Sequence, residues 1–362
     1  MDRRSFLRTS AVGGAAAAST TLAAPAYAQG NRTLTMVTSV PDGFAIFDDA
    51  AQLAIDYISE MSGGSLVINK NPAGTLVGAF EVFDAVSAGQ ADVYHSAEYY
   101  FLNQHPAFAF FTSVPFGMTS QEIANWYYRR GGQDLHDNLS SLFNLKPLMC
   151  GQTAMQPGGW FNVEINSVDD LQGLRFRMPG QGGQVLGRLG ASVQNVPGGE
   201  IYQALSTGAL DGTEWIGPWS DEKLGLQEIA KNYYPAGFHE PGAALSVGFN
   251  LERFNSLSPA HQKALELACA DAHQHNYALF VANNGPALQR LLQAGVTTRE
   301  FPDDVWEAFG RGSVEVLGGY RGDPLYDRIY DSAMASLRNT SGWLSLADSP
   351  YVRQRDRVLA AL

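Results

Sequence analysis

The sequence predicts an α/β protein of two units, in which the chain builds one open sheet, passes to a second and returns. Three observations predict it. Strand-like and helical runs alternate as βαβαβ between residues 34 and 95, the pattern of an open, largely parallel sheet. A second alternation begins near Cys150 and continues to about Ser206. A further strand-like run, 245–250, follows both and reads as a crossing back.

Residues 34–40 (LTMVTSV) open the first unit as a strand. A helix follows over 44–61. Phe47, Ala51, Ala54, Ile55 and Ile58 recur there at helical spacing, and Gly63-Gly64 supply the stop. A strand at 65–70, a helix at 77–88 and a strand at 91–95 complete the alternation. Thr119-Ser120-Gln121-Glu122 is a capping-box signature and opens a helix toward Arg130. In the second unit, 147–153 and 161–165 read as strands, and 174–177 (LRFR) alternates into a Met-Pro-Gly turn. A short helix over 182–189, a strand over 192–196 and a helix over 200–206 follow. Ser258-Pro259 pairs an N-cap with proline at the first helical position. The helix it opens runs to about Leu292, with a break expected at Gly285-Pro286. A last helical region spans 303–337, interrupted over 318–324.

The first 28 residues read as a leader and not as part of the fold. Arg3-Arg4 precede Ser5-Phe6-Leu7-Arg8, an Ala/Gly-rich stretch follows, and Ala26-Tyr27-Ala28 is a small-x-small cleavage site. The arginine pair points to twin-arginine export, cleavage after Ala28 and a mature protein in the periplasm. No later stretch approaches the roughly 20 apolar residues of a membrane span. Net charge is −12; removing Arg3, Arg4 and Arg8 with Asp2 leaves about −14, which argues against nucleic acid and anionic membrane as partners. Cys150 and Cys269 show no CxxC or metal-type spacing and read as buried free thiols, although an oxidising compartment would allow pairing.

Several residues are candidates for chemistry. Arg177 ends an alternating strand at a turn, where ligands of open α/β sheets gather. A guanidinium there can hold a carboxylate through two parallel hydrogen bonds, and a surface salt bridge is the equally weighted alternative. The LDGTEW stretch, 210–215, sets Glu214 beside Trp215. Its glycine argues against a core strand, and the nearby Trp215 and Trp219 argue against a solvated loop. Glu240 lies in a second turn-like stretch, FHEPG. Carboxylate and carbonyl oxygens are ligands of hard cations, while two solvated loop glutamates are the commoner case. Gln156 stands where a strand meets Pro-Gly-Gly, and Gln152 lies deeper in that strand. Tyr99-Tyr100 follow a strand end and offer apolar faces with polar tips. There is no GxSxG, HExxH, P-loop or strand-linked GxGxxG.

Taken together, DLQGLRFRMPG, GGEIYQALSTGALDGTEW, the crossing strand and LSPAHQKALELA resemble the extracytoplasmic solute-binding subunits of tripartite ATP-independent periplasmic (TRAP) transporters. The resemblance covers nearly the whole mature chain. Much of that family carries an Asn shortly after the Asp-Gly; Glu214-Trp215 stand there instead, which resembles the subgroup that binds 2-oxo or 2-hydroxy acids through a metal ion. LDGTEW, FHEPG and the tyrosine pair look most like its 2-oxo acid, pyruvate-type member.

The resemblance implies a two-domain periplasmic binding protein fold, with crossing strands and a long helix spanning both domains. It divides the chain into 29–150 with about 241–285, 151–240 with about 286–302, and a C-terminal helical region, 303–362, through which some members dimerise. It implies that Arg177 binds the carboxylate, with Tyr99 and Tyr100 beside it. It gives Glu214, the Trp215 main-chain carbonyl, Glu240 and a glutamine, Gln156 or Gln152, as ligands of one Na⁺ or Ca²⁺. Two carboxylates, one guanidinium and a monoanion balance with a divalent ion and fall one charge short with Na⁺. Few oxygens would favour Na⁺, so both ions stay open. Delivery to membrane permease subunits and the absence of catalysis are implied as well. The alternatives are a binding protein for lactate or another 2-hydroxy acid, and an exported metal-dependent enzyme. Replacing Arg177 by Met is expected to abolish binding and spare the fold.

Overall fold

The computed structural model describes residues 31–361; the leader read in residues 1–28 lies outside the described residues. Strands β1 (Arg32–Thr38), β2 (Leu66–Asn71), β3 (Val93–Ser96) and β4 (Leu145–Gln152) belong to the first sheet. Strands β5 (Gly159–Phe161), β6 (Arg175–Arg177), β7 (Ser192–Gln194), β8 (Gly212–Thr213) and β9 (Asn232–Tyr234) belong to the second. The chain then returns to the first sheet with β10 (Ala244–Asn250) and to the second with β11 (Thr297–Thr298). The sheet orders are β2-β1-β3-β10-β4 and β11-β9-β5-β8-β6-β7. β1 is parallel to β2 and β3, whereas β10 runs antiparallel between β3 and β4. The crossing strand expected at 245–250 is therefore a central strand, and all seven of its residues are buried.

β10 is accommodated by a missing side chain. Gly248 pairs with Tyr94, whose ring lies over it, and a Cβ on Gly248 would stand 2.2 Å from the Tyr94 ring carbon Cζ. The Tyr94 hydroxyl in turn donates to Glu98 at 3.1 Å, at the head of the turn that carries Tyr99 and Tyr100.

Glycines also explain where the second sheet differs from the expected one. The strand read at 161–165 is Gly159–Phe161; past it the Asn162 amide donates to the Asp211 carbonyl and the Ile165 amide donates to the Tyr234 hydroxyl. Gly159 has φ +129°, and a Cβ there would meet the Thr213 carbonyl oxygen at 2.7 Å. Gly212, whose presence argued against a core strand, lies in β8 between β5 and β6. A Cβ on it would meet the Trp160 carbonyl at 2.6 Å and the Phe176 ring at 2.7 Å. Close passage of backbone beneath an aromatic ring is what selects glycine in these strands.

The helix Phe47–Met61 turns Ala50, Ala51, Ala54 and Ile58 inward. The long helix is continuous from Pro259 to Gln293, capped by Ser258, whose hydroxyl accepts from the His261 amide at 3.1 Å. The break expected at Gly285-Pro286 does not occur. Proline removes one intrahelical donor, but Ala282, Gly285 and Pro286 are all exposed, so water can satisfy the released carbonyl. Ala268, Cys269 and Ala272 pack that helix into the first unit's core with Leu148 and Val247. Further along, Asn284 Oδ1 accepts from the Trp219 amide and Arg290 pairs with Glu222, which ties the same helix to the second unit. Cys150 and Cys269 are buried and unbonded, with the two thiols side by side.

The helix Asp303–Gly318 covers the second unit. After an interruption where expected, Pro324–Leu346 returns to the first unit through Tyr326, Ile329 and Ala333, and Trp126 Nε1 donates to Ser332 at 3.0 Å. The final helix, Asp348–Leu359, has no buried residue. No helix among the described residues is long and apolar enough to cross a membrane.

Gly248→Val would drive a branched side chain into Tyr94. Overpacking of this kind costs about 1–3 kcal/mol, and urea unfolding should report a loss of that size as a lower midpoint at unchanged slope.

Candidate functional site

Arg177 ends β6, in register with Thr213 of β8, so the next residue of the neighbouring strand, Glu214, is delivered beside it. The Glu214 amide bonds the Arg177 carbonyl at 3.3 Å. Both side chains are buried at about 1% exposure, and Arg177 Nη1 donates to Glu214 Oε1. Nε of the same guanidinium donates to the Val196 carbonyl at 3.0 Å, while Nη2 has no partner among the described residues. The surface salt bridge considered for Arg177 belongs instead to Arg175, which is exposed and paired with Asp211.

The Trp215 indole lies against Arg177, with the guanidinium carbon 5.3 Å from the ring centroid. Gly198 makes room for that ring; a Cβ there would fall 2.4 Å from it. Trp215 Nε1 donates to Ser220 at 2.9 Å. The turn after Trp215 is held by Asp221, which sequence reading missed. Its Oδ1 accepts from the Ile216 and Gly217 amides at 3.0 and 2.8 Å, and its Oδ2 from Trp160 Nε1 at 2.8 Å. Burial pushes Asp221 up to about 7 against the pull of those donors. The available signal was local: Gly217-Pro218 opens a helix, and an acid three residues after the proline can reach back to the amides just ahead of that helix.

Glu240 arrives from the loop before β10. Two backbone bonds join that loop to the one after β4: the Gln156 amide to the Glu240 carbonyl at 3.0 Å, and the Gly237 amide to the Gln156 carbonyl at 3.2 Å. The Gln156 side chain donates through Nε2 to Thr153 at 2.9 Å and lies beside the Glu240 carboxylate. Gln152, also buried, uses its Oε1 to accept the Ala154 amide at 3.0 Å, bracing a residue with φ +54°. The two glutamines differ in environment: Gln156 borders Glu240, whereas Gln152 commits its Oε1 to its own turn and leaves its buried Nε2 without a partner among the described residues.

Tyr99 and Tyr100 lie on a short 3-10 turn after β3, with ring centroids 4.9 Å apart. Tyr99 borders Glu240, and Tyr100 borders Arg177. Burial pushes both hydroxyls above their ordinary value, so they remain neutral donors. Burial works against the Arg177 charge, yet Glu214 and the tyrosines hold it above its usual value. Burial raises Glu240 well above the carboxylate range, and the nearby Glu214 raises it further.

Sequence reading also missed His239, one residue before Glu240. Its Nε2 is 3.6 Å from Glu214 Oε2. A scattered histidine carries no periodic signal, and only the packing of its loop against β8 reveals its position.

The site is therefore two buried carboxyl groups, one guanidinium and a ring of neutral donors, and it is short of positive charge whenever both carboxyls are ionised. Glu240 Oε2 and Gln156 Oε1 have no hydrogen-bond partner among the described residues. Orphaned acceptors and excess negative charge together fit a cation bound through oxygen. A cavity of about 490 Å³ lies outside the tyrosines, against Met178 and Gly180.

The comparisons with known proteins agree with this architecture. The profile of the bacterial extracellular solute-binding protein family 7 matches residues 36–319. A monocarboxylate 2-oxoacid-binding periplasmic protein of Nostoc sp. is 37% identical over 357 residues, 97% of this chain and 98% of that one. A TRAP transporter solute-binding protein from Bordetella bronchiseptica, a mixed-occupancy dimer with copurified calcium and picolinate, superposes with TM-score 0.90 at 30% identity, covering 92% of this chain and 99% of the other. A TRAP periplasmic solute-binding protein from Pseudoalteromonas atlantica with bound sodium and pyruvate gives TM-score 0.86 at 34% identity, covering 89% and 99%.

The ion pair changes what Arg177→Met should do. Removing one partner of a buried pair costs about 3–5 kcal/mol, so the ligand-free variant should melt well below the wild type by calorimetry. The fold-neutral outcome expected from sequence would mean that Glu214 is not held by Arg177.

Proposed function

The chain belongs to the bacterial extracellular solute-binding protein family 7, and from that membership we propose that it captures a small 2-oxo monocarboxylate, pyruvate-like, in the periplasm and delivers it to TRAP permease subunits. It is a binding protein of a family of solute-binding proteins, and the exported-enzyme alternative is set aside. The observation that carries the ligand class is the charge count with both carboxyls ionised: Glu214 and Glu240 are buried with one guanidinium, Arg177, beside them. A divalent cation with a monoanion brings that count to zero, whereas a dicarboxylate would need a second cationic anchor.

Arg177 would hold the acid's carboxylate through its unpartnered Nη2, with Tyr100 donating from the same side. Glu214, Glu240, the Trp215 main-chain carbonyl and Gln156 would hold Na⁺ or Ca²⁺, which supplies positive charge for the acid's oxygens. Tyr99 would steady Glu240, and the Trp215 ring would exclude water. All these groups are buried or nearly so, so the acid enters by separation of the two units, divided at about residues 150, 240 and 285 as the sequence suggests, and is retained by their closure. The relatives described above support this reading, since one binds pyruvate with sodium and one binds calcium with an aromatic acid.

We also propose that the protein acts as a homodimer. The helix Asp348–Leu359 leaves Tyr351 and Leu359 exposed, with Trp343 and Leu346 exposed just before it. Beside it runs a groove of about 870 Å³ lined in part by Tyr277, Val281 and Leu344. In this reading the groove and the exposed side chains of the terminal helix are covered by a second copy of the chain.

Thermal unfolding against 2-oxo acids, 2-hydroxy acids, dicarboxylates and sugars, each with chelator, Na⁺ or Ca²⁺, tests the first proposal. Ligand at 100 times its Kd stabilises by about 2.7 kcal/mol. A cation-dependent shift with pyruvate, lost in Glu240→Ala, is expected. A shift with lactate alone would transfer the assignment to 2-hydroxy acids, and unchanged acid binding in Glu240→Ala would overturn the metal bridge. For the dimer, light scattering on a chain truncated after Ala347 should report a monomer where the full mature chain reports a dimer.

A further inference from the structure

His239 contributes a donor that a hard cation does not require. One oxygen of Glu214, one ring nitrogen of His239 and one oxygen of Glu240 lie within 4.8 Å of one another, and all three residues are buried. Calcium and sodium take oxygen ligands, whereas imidazole beside carboxylates suits first-row transition ions. With metal–ligand bonds of about 2.0–2.2 Å, two donors on one ion stand up to about 4.4 Å apart. Small side-chain rotations would bring this trio within that range.

Two observations show that the imidazole is placed and left unused. Both of its ring nitrogens are buried and lack a hydrogen-bond partner among the described residues. Glycines shape its socket: a Cβ on Gly182 would stand 2.5 Å from the His239 Cβ, and one on Gly237 would stand 2.9 Å from Nδ1. The Phe238 ring sets an edge against it at 5.8 Å. A buried polar ring in a fitted socket, 3.6 Å from Glu214 Oε2 and hydrogen-bonded to no protein group among the described residues, calls for a partner that is not protein.

We propose that Glu214, His239 and Glu240 form a mixed nitrogen–oxygen site for a divalent transition ion of the Zn²⁺ and Co²⁺ class, which competes with Na⁺ or Ca²⁺ for the same place. The proposal rests on the reading of Glu214 and Glu240 as the cation's carboxylates. Its consequence is that the metal in solution sets which cation the acid meets. Imidazole raises affinity for the later first-row ions far more than for calcium.

The test uses the mature protein stripped with chelator. Co²⁺ is titrated alone, without any acid, and followed by visible absorption; Ca²⁺ with pyruvate is titrated by calorimetry. One Co²⁺ per chain is expected, bound more tightly than Ca²⁺. His239→Gln should lower the Co²⁺ affinity relative to the Ca²⁺ affinity by on the order of 100-fold. X-ray absorption at the cobalt edge should show imidazole scattering in the wild type, which decides the point even if the variant folds poorly. Equal Co²⁺ affinity and spectra in wild type and a folded His239→Gln, or a cobalt edge without imidazole, overturn the proposal. So does a lack of Co²⁺ binding: if Ca²⁺-dependent pyruvate binding persists, the transition-ion site alone is wrong, and if that is lost too, the cation reading falls with it.

Discussion

Glu214 and Glu240 sit within a few ångströms of each other, out of water, with Arg177 as their one fully charged neighbour. Burying two carboxylates is costly unless positive charge and donors surround them. Much of the nearby structure supplies those donors or keeps them in position. Arg177 is held by the Val196 carbonyl and the Trp215 face, and the tyrosine turn brings two neutral hydroxyls. Asp221 ties down the turn that follows Trp215. Ionising both carboxyls leaves the site one positive charge short, which is the electrostatic basis of the cation reading.

The scaffold converts this local requirement into a device that spans two units. Arg177 and Glu214 come from adjacent strands of the second sheet, the tyrosines from a turn after β3 of the first, and Gln156 and Glu240 from the paired connecting loops. No single unit holds the set. The long helix packs into the core of the first unit and then pairs with the second, so it braces the two against arbitrary displacement.

Much of the fold was legible from sequence because it depends on local signals. Alternation marked β1 to β3, the Ser258-Pro259 cap marked the long helix, and the interruption over 318–324 separated the last helices. Where the reading failed, the cause was non-local. Gly159 and Gly212 look like turn residues, but they lie in strands because the Phe176 ring and neighbouring carbonyls occupy the space of a side chain. Gly285-Pro286 looks like a break, but the helix continues because the freed backbone faces solvent.

For the site, the sequence by itself determined which residue types were available: an arginine at a strand end, acids in two glycine-bearing stretches, and a tyrosine pair after a strand. These are statements about neighbours along the chain. Only the tertiary structure decided that Arg177 and Glu214 form an ion pair, that Gln156 borders Glu240, and that His239 lies 3.6 Å from Glu214. The physical reason is that charge burial and donor geometry depend on distances between segments far apart in sequence. Register between β6 and β8 and the backbone bonds between two loops fix those distances.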